Sequence, residues 1–178
     1  MNKKWIVWLT PVLLMALLLS ACGKKSEPAP TEATAVVGMP NPVHQTDEAG
    51  LVQATGISLP APEGAEDARW SYIDSGKGNP VAQLDFRADG KEVCLRAQAT
   101  GELEIGDISG LHYTWSENAD AEVQGRAAKL FLSGEIGYIA WLDTVPGILY
   151  NLSMTEGASA ETLTTLANSA FVPLQGDA

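Results

Sequence analysis

Two alternating runs around Asp89-Gly90 constrain this chain more than any other feature. Residues 81–88 place Ala82, Leu84 and Phe86 on one side and Gln83, Asp85 and Arg87 on the other. Residues 91–99 repeat the pattern, with Val93, Leu95 and Ala97 opposite Glu92, Arg96 and Gln98. A period of two means strands, and Asp-Gly between them suits a two-residue hairpin turn, whose central positions both need positive φ. A sheet seeded this way is antiparallel, with one face on a core and the other wet.

Further strands are expected at 68–73, where Trp70 and Tyr72 share a side, and at 111–115, 126–133, 137–142 and 148–153. Pro146-Gly147 suits a type II turn between the last two. The acidic stretch 116–121 reads as a loop and 101–110 as irregular chain. Gly76-Lys77-Gly78 reads as a solvent turn, since it lacks the spacing and the Ser or Thr of a phosphate loop. A short helix is expected over 47–55, with Thr46 as N-cap and Gly56 at its end, although Gly50 weakens it. Ser159 opens a second helix, whose Leu163, Leu166, Ala167 and Ala170 share one core-facing side before Pro173. The expected fold is α+β: a curved antiparallel sheet of about six or seven strands packed by a C-terminal helix, with a short N-terminal helix. Residues 38–178 read as a single domain, because no second boundary interrupts the apolar pattern.

Ahead of this region, Lys3 and Lys4 precede an apolar run over 5–19 that closes in Leu19-Ser20-Ala21-Cys22. The layout is that of a secretory signal, and the run is shorter than the ~20 apolar residues a membrane span requires. Small residues before a cysteine resemble the cleavage site of bacterial lipoprotein signal peptidase. That resemblance implies a signal peptide at 1–21 and a mature chain beginning at a lipidated, palmitate-bearing Cys22. Two or more acyl chains hold a protein stably. The expected location is therefore the extracytoplasmic face of the cell membrane, with the membrane as partner through Cys22. Residues 22–37, rich in Pro, Ala, Ser and Thr, read as a flexible tether.

Setting Lys3 and Lys4 aside leaves nine Lys and Arg against 22 Asp and Glu, a net charge of about −13. That balance argues against nucleic-acid binding and against adhesion of the protein surface to anionic lipid. With Cys22 as the anchor, Cys94 has no intrachain partner, and its place beside Arg96 reads as a half-buried inert thiol. No hydrolase, zinc or calcium motif is present, so no catalytic residue, metal ligand or cofactor is expected. His112 reads as a surface histidine on a strand, and Glu135 and Asp143 as solvated turn carboxylates.

The aromatic residues remain. Trp70, Tyr72, Tyr113, Trp115, Tyr138, Trp141 and Tyr150 all fall on expected strands and either fill the core or line a groove. Tyr113, Trp115, Trp141 and Tyr150 are the candidate ligand-binding residues, for an apolar, peptide or glycan ligand. The first functional expectation is a monomeric, non-enzymatic ligand-binding or envelope-sensing lipoprotein. The alternative is a cell-envelope hydrolase whose site is assembled only in the fold. A cleft holding His112 with two acids would favour the hydrolase, and an aromatic-lined apolar groove the binder.

Residues 107–115 (Asp-Ile-Ser-Gly-Leu-His-Tyr-Thr-Trp), residues 141–153 and the Ser159 helix resemble an uncharacterised domain of Firmicutes lipoproteins and anti-sigma-type membrane proteins. Asn41-Pro42-Val43, the helix at Asp47 and the Pro-Glu-Gly at 62–64 fit the same pattern, which covers most of 38–173. The resemblance carries over no catalytic or ligand residue. The expected architecture is also similar to periplasmic folds in which a curved antiparallel sheet wraps hydrophobic ligands.

Overall fold

A computed structural model describes residues 43–76 and 78–173. The expected signal peptide, lipidated Cys22 and tether, and Lys77, lie outside the described residues. In chain order the elements are β1 (Val43–Thr46), α1 (Glu48–Thr55), β2 (Glu66–Ile73), β3 (Val81–Ala88), β4 (Lys91–Ala99), β5 (Glu117–Val123), β6 (Arg126–Ser133), β7 (Ile136–Asp143), β8 (Ile148–Met154) and α2 (Ala160–Ala170). All strands join one open antiparallel sheet in the order β1-β2-β3-β4-β8-β7-β6-β5. The fold is α+β with eight strands, not six or seven.

The hairpin forms within the limits its alternation sets. Asp89 and Gly90 adopt φ of 51° and 75°, so both central positions are left-handed, as a type I′ turn demands. Two strands of the sheet are absent from the alternation pattern because they are edges. β5 carries Glu117, Asn118, Asp120 and Glu122, all exposed, and its ladder runs only to β6. β1 is four residues long and exposes His44 and Gln45. Acidic and polar side chains on an edge discourage pairing with another chain. Conversely, 111–115 is not a strand, so Tyr113 and Trp115 enter the fold from irregular chain.

β1 to β4 form one four-stranded meander and β5 to β8 another. They meet where β4 pairs with β8, from Val93 opposite Met154 to Ala99 opposite Ile148. β4 ends mid-sheet and β5 starts at the far edge, so residues 100–116 must cross β8, β7 and β6. This strap lies over the face opposite the helices, since its Ile108, Ser109 and Trp115 meet Arg96, Phe131 and Tyr138 there.

The other face is the core. Leu84, Leu95, Leu130, Ile139, Trp141 and Leu152 pack against Leu51 of α1 and Leu163, Ala167 and Ala170 of α2. α1 begins one residue later than expected: Asp47, not Thr46, is its N-cap and accepts from the Gly50 N–H at 2.8 Å. Gly50 is no defect here, because a Cβ at that position would strike the Thr46 hydroxyl. Gly56 ends the helix at φ 73°. Ser159 caps α2, its hydroxyl accepting from the Thr162 N–H at 3.0 Å.

Asp143 is the clearest departure from expectation. It closes β7 with its side chain only 3% exposed, and Arg126 Nε lies 3.2 Å from its Oδ1. It is a buried, ion-paired carboxylate and not a solvated turn residue.

Candidate functional site

The helix-free face is organised in rows that cross the strands. One row runs Arg69, Asp85, Cys94, Ser153, Tyr138, Phe131, each opposite the next. The adjacent row runs Gln45, Ser71, Gln83, Arg96, Asn151, Ala140, Lys129, Asp120 across all eight strands. Between β2 and β8 this face is therefore polar, and between β7 and β6 it becomes aromatic. The alternation that buries one side of each strand delivers the other side here.

The polar half is a cleft of about 270 Å³ whose lining includes Arg69, Gln83, Asp85, Cys94, Arg96 and Ser153, with Ser109 to Leu111 of the strap as one wall. Its floor is cross-linked. Arg96 Nε donates to Gln83 Oε1 at 2.8 Å, and Gln83 Nε2 donates to Asp85 Oδ2 at 2.7 Å. Arg96 Nη1 donates to the carbonyls of Ile108 and Ser109 at 3.0 and 2.8 Å, which pins the strap to the sheet. Gly110 is required beside it: its φ is 73°, and a Cβ there would strike the Arg96 guanidinium.

Cys94 sits in this floor as a free thiol. Burial, and then the facing Asp85 carboxylate, push it up from 9.0 to about 12, with Arg96 opposing. The thiol thus stays protonated at neutral pH and is a poor nucleophile. In a Cys22→Ser chain, where Cys94 is the remaining thiol, disulfide-exchange labelling at pH 8 should run at least about tenfold slower in the native than in the unfolded protein. Equal rates would show that the thiol is neither buried nor held protonated. Because the folded value is raised, the stability linked to this proton is intact below pH 9 and is lost as pH rises towards about 12.

The aromatic half is a ledge. Phe131 and Tyr138 stack with ring centroids 4.7 Å apart, and Trp115 meets Tyr138 edge-on at 5.1 Å. Tyr113 leans on Trp115 at 5.8 Å and is 47% exposed. Burial, and then the adjacent Asp107 carboxylate, raise the Tyr138 phenol above its usual range, so its hydroxyl stays protonated and hydrogen-bonds Asp107. The strap is thereby tied to the sheet a second time.

The four candidate aromatics divide into two pairs. Trp141 and Tyr150 stack at 5.3 Å in the core, 0% and 3% exposed, with Phe171 edge-on to both. They belong to the hydrophobic interior. Tyr113 and Trp115 stand together on the opposite face. His112 is exposed on the strap and is not in the cleft's lining, although two acids, Asp85 and Glu92, are. Gln83, Asp85, Arg96, Asn151 and Ser153 were not singled out by sequence as site residues. Their signal was present as the polar phase of each alternation, which reads simply as solvent-facing until the strap is known to cross it. Among the described residues no group of three or more His, Cys, Asp or Glu is placed to hold a metal ion, and no helix is long and apolar enough to cross a membrane. Comparison with protein-family models, curated proteins and solved structures finds no match.

Proposed function

We propose that this chain is a lipid-anchored, extracytoplasmic lipoprotein whose folded part is a non-enzymatic ligand-binding or envelope-sensing module. The observation that carries the binding role is the continuity of the polar cleft and the aromatic ledge in one row across the helix-free face. A concave floor with a few fixed polar groups beside apolar ring surface is the usual make-up of a ligand site. The signal-like start and Leu19-Ser20-Ala21-Cys22 support the anchor. The hydrolase reading gains nothing from the cleft, whose two acids stand without His112.

The test has two arms. Cys22→Ser should release the protein from the membrane fraction or leave an uncleaved precursor, and unchanged processing and retention would remove the anchor. In the second arm, thermal melts of the chain with short peptides, cell-wall glycans and fatty acids should identify a class that raises the midpoint. Tyr113→Ala should diminish that rise while leaving the ligand-free midpoint within about a degree or two, since its ring is half exposed. A ligand that stabilises both proteins equally would place binding elsewhere.

A further inference from the structure

Asn151 occupies the middle of β8 on the helix-free face, between Arg96 of β4 and Ala140 of β7. It is 1% exposed, and among the described residues neither its Nδ2 nor its Oδ1 has a hydrogen-bond partner. Native proteins pair nearly all buried polar groups, because the group gives up its water on burial. A leucine at this position would carry no such penalty. Three strands away in the same row, Ser71 is also 1% exposed, and its Oγ has no partner among the described residues. The row therefore has a hydrogen-bonded centre, Gln83 and Arg96, flanked by unsatisfied groups on both sides.

The strap bounds the space around Asn151. Ser153, two residues along β8 on the same face, lines the cleft, while Leu149, two residues the other way, lies against Gly106 of the strap. Arg96, opposite Asn151, holds Ile108 and Ser109. Ser109 to Leu111 of the strap wall the cleft, and Asn151, not itself in that lining, lies along β8 between Ser153 on the cleft and Leu149 beneath Gly106. The strap itself has no strand pairing over 100–116. Side-chain clamps at Arg96 and Asp107, and backbone bonds at its two ends from Thr100 N–H to Gly147 and Ser116 N–H to Leu132, retain it. A segment held this way opens at lower free energy than the ladders on either side.

We infer that residues 105–111 are a displaceable lid and that the space they bound admits an extended peptide segment, read by the Asn151 carboxamide through one residue's backbone N–H and C=O. This rests on the helix-free face being the binding face. The chemistry selects the class. A carboxamide offers one acceptor and a donor side by side. In an extended strand, one residue's N–H and C=O point the same way, which is why two residues of an antiparallel pair exchange both bonds. The trans acetamido group of an amino sugar turns its N–H and C=O in opposite directions, so it satisfies only one of the two atoms. Peptide side chains would then lie along the cleft floor and the Trp115 ledge.

The experiment uses the full chain in detergent with two probes: a pool of randomised octapeptides blocked at both ends, and a chitin tetrasaccharide. The peptide pool is expected to bind and to change hydrogen exchange at 105–111. Asn151→Leu should weaken peptide binding by about tenfold or more while raising the ligand-free melting temperature. A structural carboxamide satisfied by internal water would give the reverse, a lower melting temperature with peptide binding unchanged, and would overturn the inference. Binding of the tetrasaccharide alone, sensitive to Tyr113→Ala and not to Asn151→Leu, would keep the binding face and discard the peptide. Failure of both probes to bind this face would remove both readings.

Discussion

Arg126→Ala is expected to lower the stability of the folded region by about 3 to 5 kcal/mol. The pair it breaks is asymmetric. The Asp143 side chain is 3% exposed and the Arg126 side chain 19%, with Nε 3.2 Å from Oδ1 and Nη2 3.3 Å from Oδ2. Removing the guanidinium leaves a carboxylate already taken out of water without its ion-pair partner, and that desolvation is the larger part of the loss. The same guanidinium stacks over the Phe171 ring at 4.7 Å, and Phe171 caps the end of α2. Gln124 adds a further tie to this corner, donating to the carbonyls of Asn168 and Phe171 at 2.8 Å. Against a typical total of ~5 to 15 kcal/mol, the variant should unfold at markedly lower urea concentration. Replacing both partners with leucine should recover most of the loss, since no charge then stays buried. A change below about 1 kcal/mol for Arg126→Ala would mean that the pair behaves as a solvated one.

Leu163→Ala should cost a similar amount, about 2 to 5 kcal/mol. Leu163 is 0% exposed and enters the core from the middle of α2, over β5, β7 and β8. Helical spacing alone ranks Leu163 and Leu166 together, and the structure separates them. Leu166 is only partly buried and lines a shallow depression with Met154 and Lys91, so its truncation exposes little cavity and should cost clearly less. Thr165, on the outer side, should tolerate alanine with almost no change. Melting temperatures that fall in the order Leu163→Ala, Leu166→Ala, Thr165→Ala fit this placement. Equal effects at 163 and 166 would show that α2 packs in a different rotation.

How far the fold was legible depended on whether a residue's partner lay nearby in sequence. The β3–β4 hairpin and the N-cap of α2 were written locally, in Asp89-Gly90 and in Ser159, and they formed where expected. β5 was not legible, because its acids carry no apolar phase and it is a strand only by virtue of the β6 edge it joins. The error at 111–115 has the mirror cause. Leu111, Tyr113 and Trp115 alternate, but Trp115 packs downward onto Phe131 and Tyr138 from a crossing segment instead of sideways into a ladder. Asp143 looked like a turn residue because Arg126, which justifies its burial, is 17 residues away. The cleft was invisible for the same reason: Asp85 and Cys94 face each other across the hairpin, but Ser153 joins them only when β4 meets β8.

That meeting also shapes how the chain assembles. Every other strand pair joins neighbours in sequence, so each meander is built from short-range contacts that close quickly. Val93 reaches Met154 only after the whole second meander has been made, with the strap as the intervening loop. The nascent chain therefore carries the open edge of β4 until synthesis is almost complete, and that edge, apolar at Val93, Leu95 and Ala97, is where a holdase or an intermolecular mispairing would find it first.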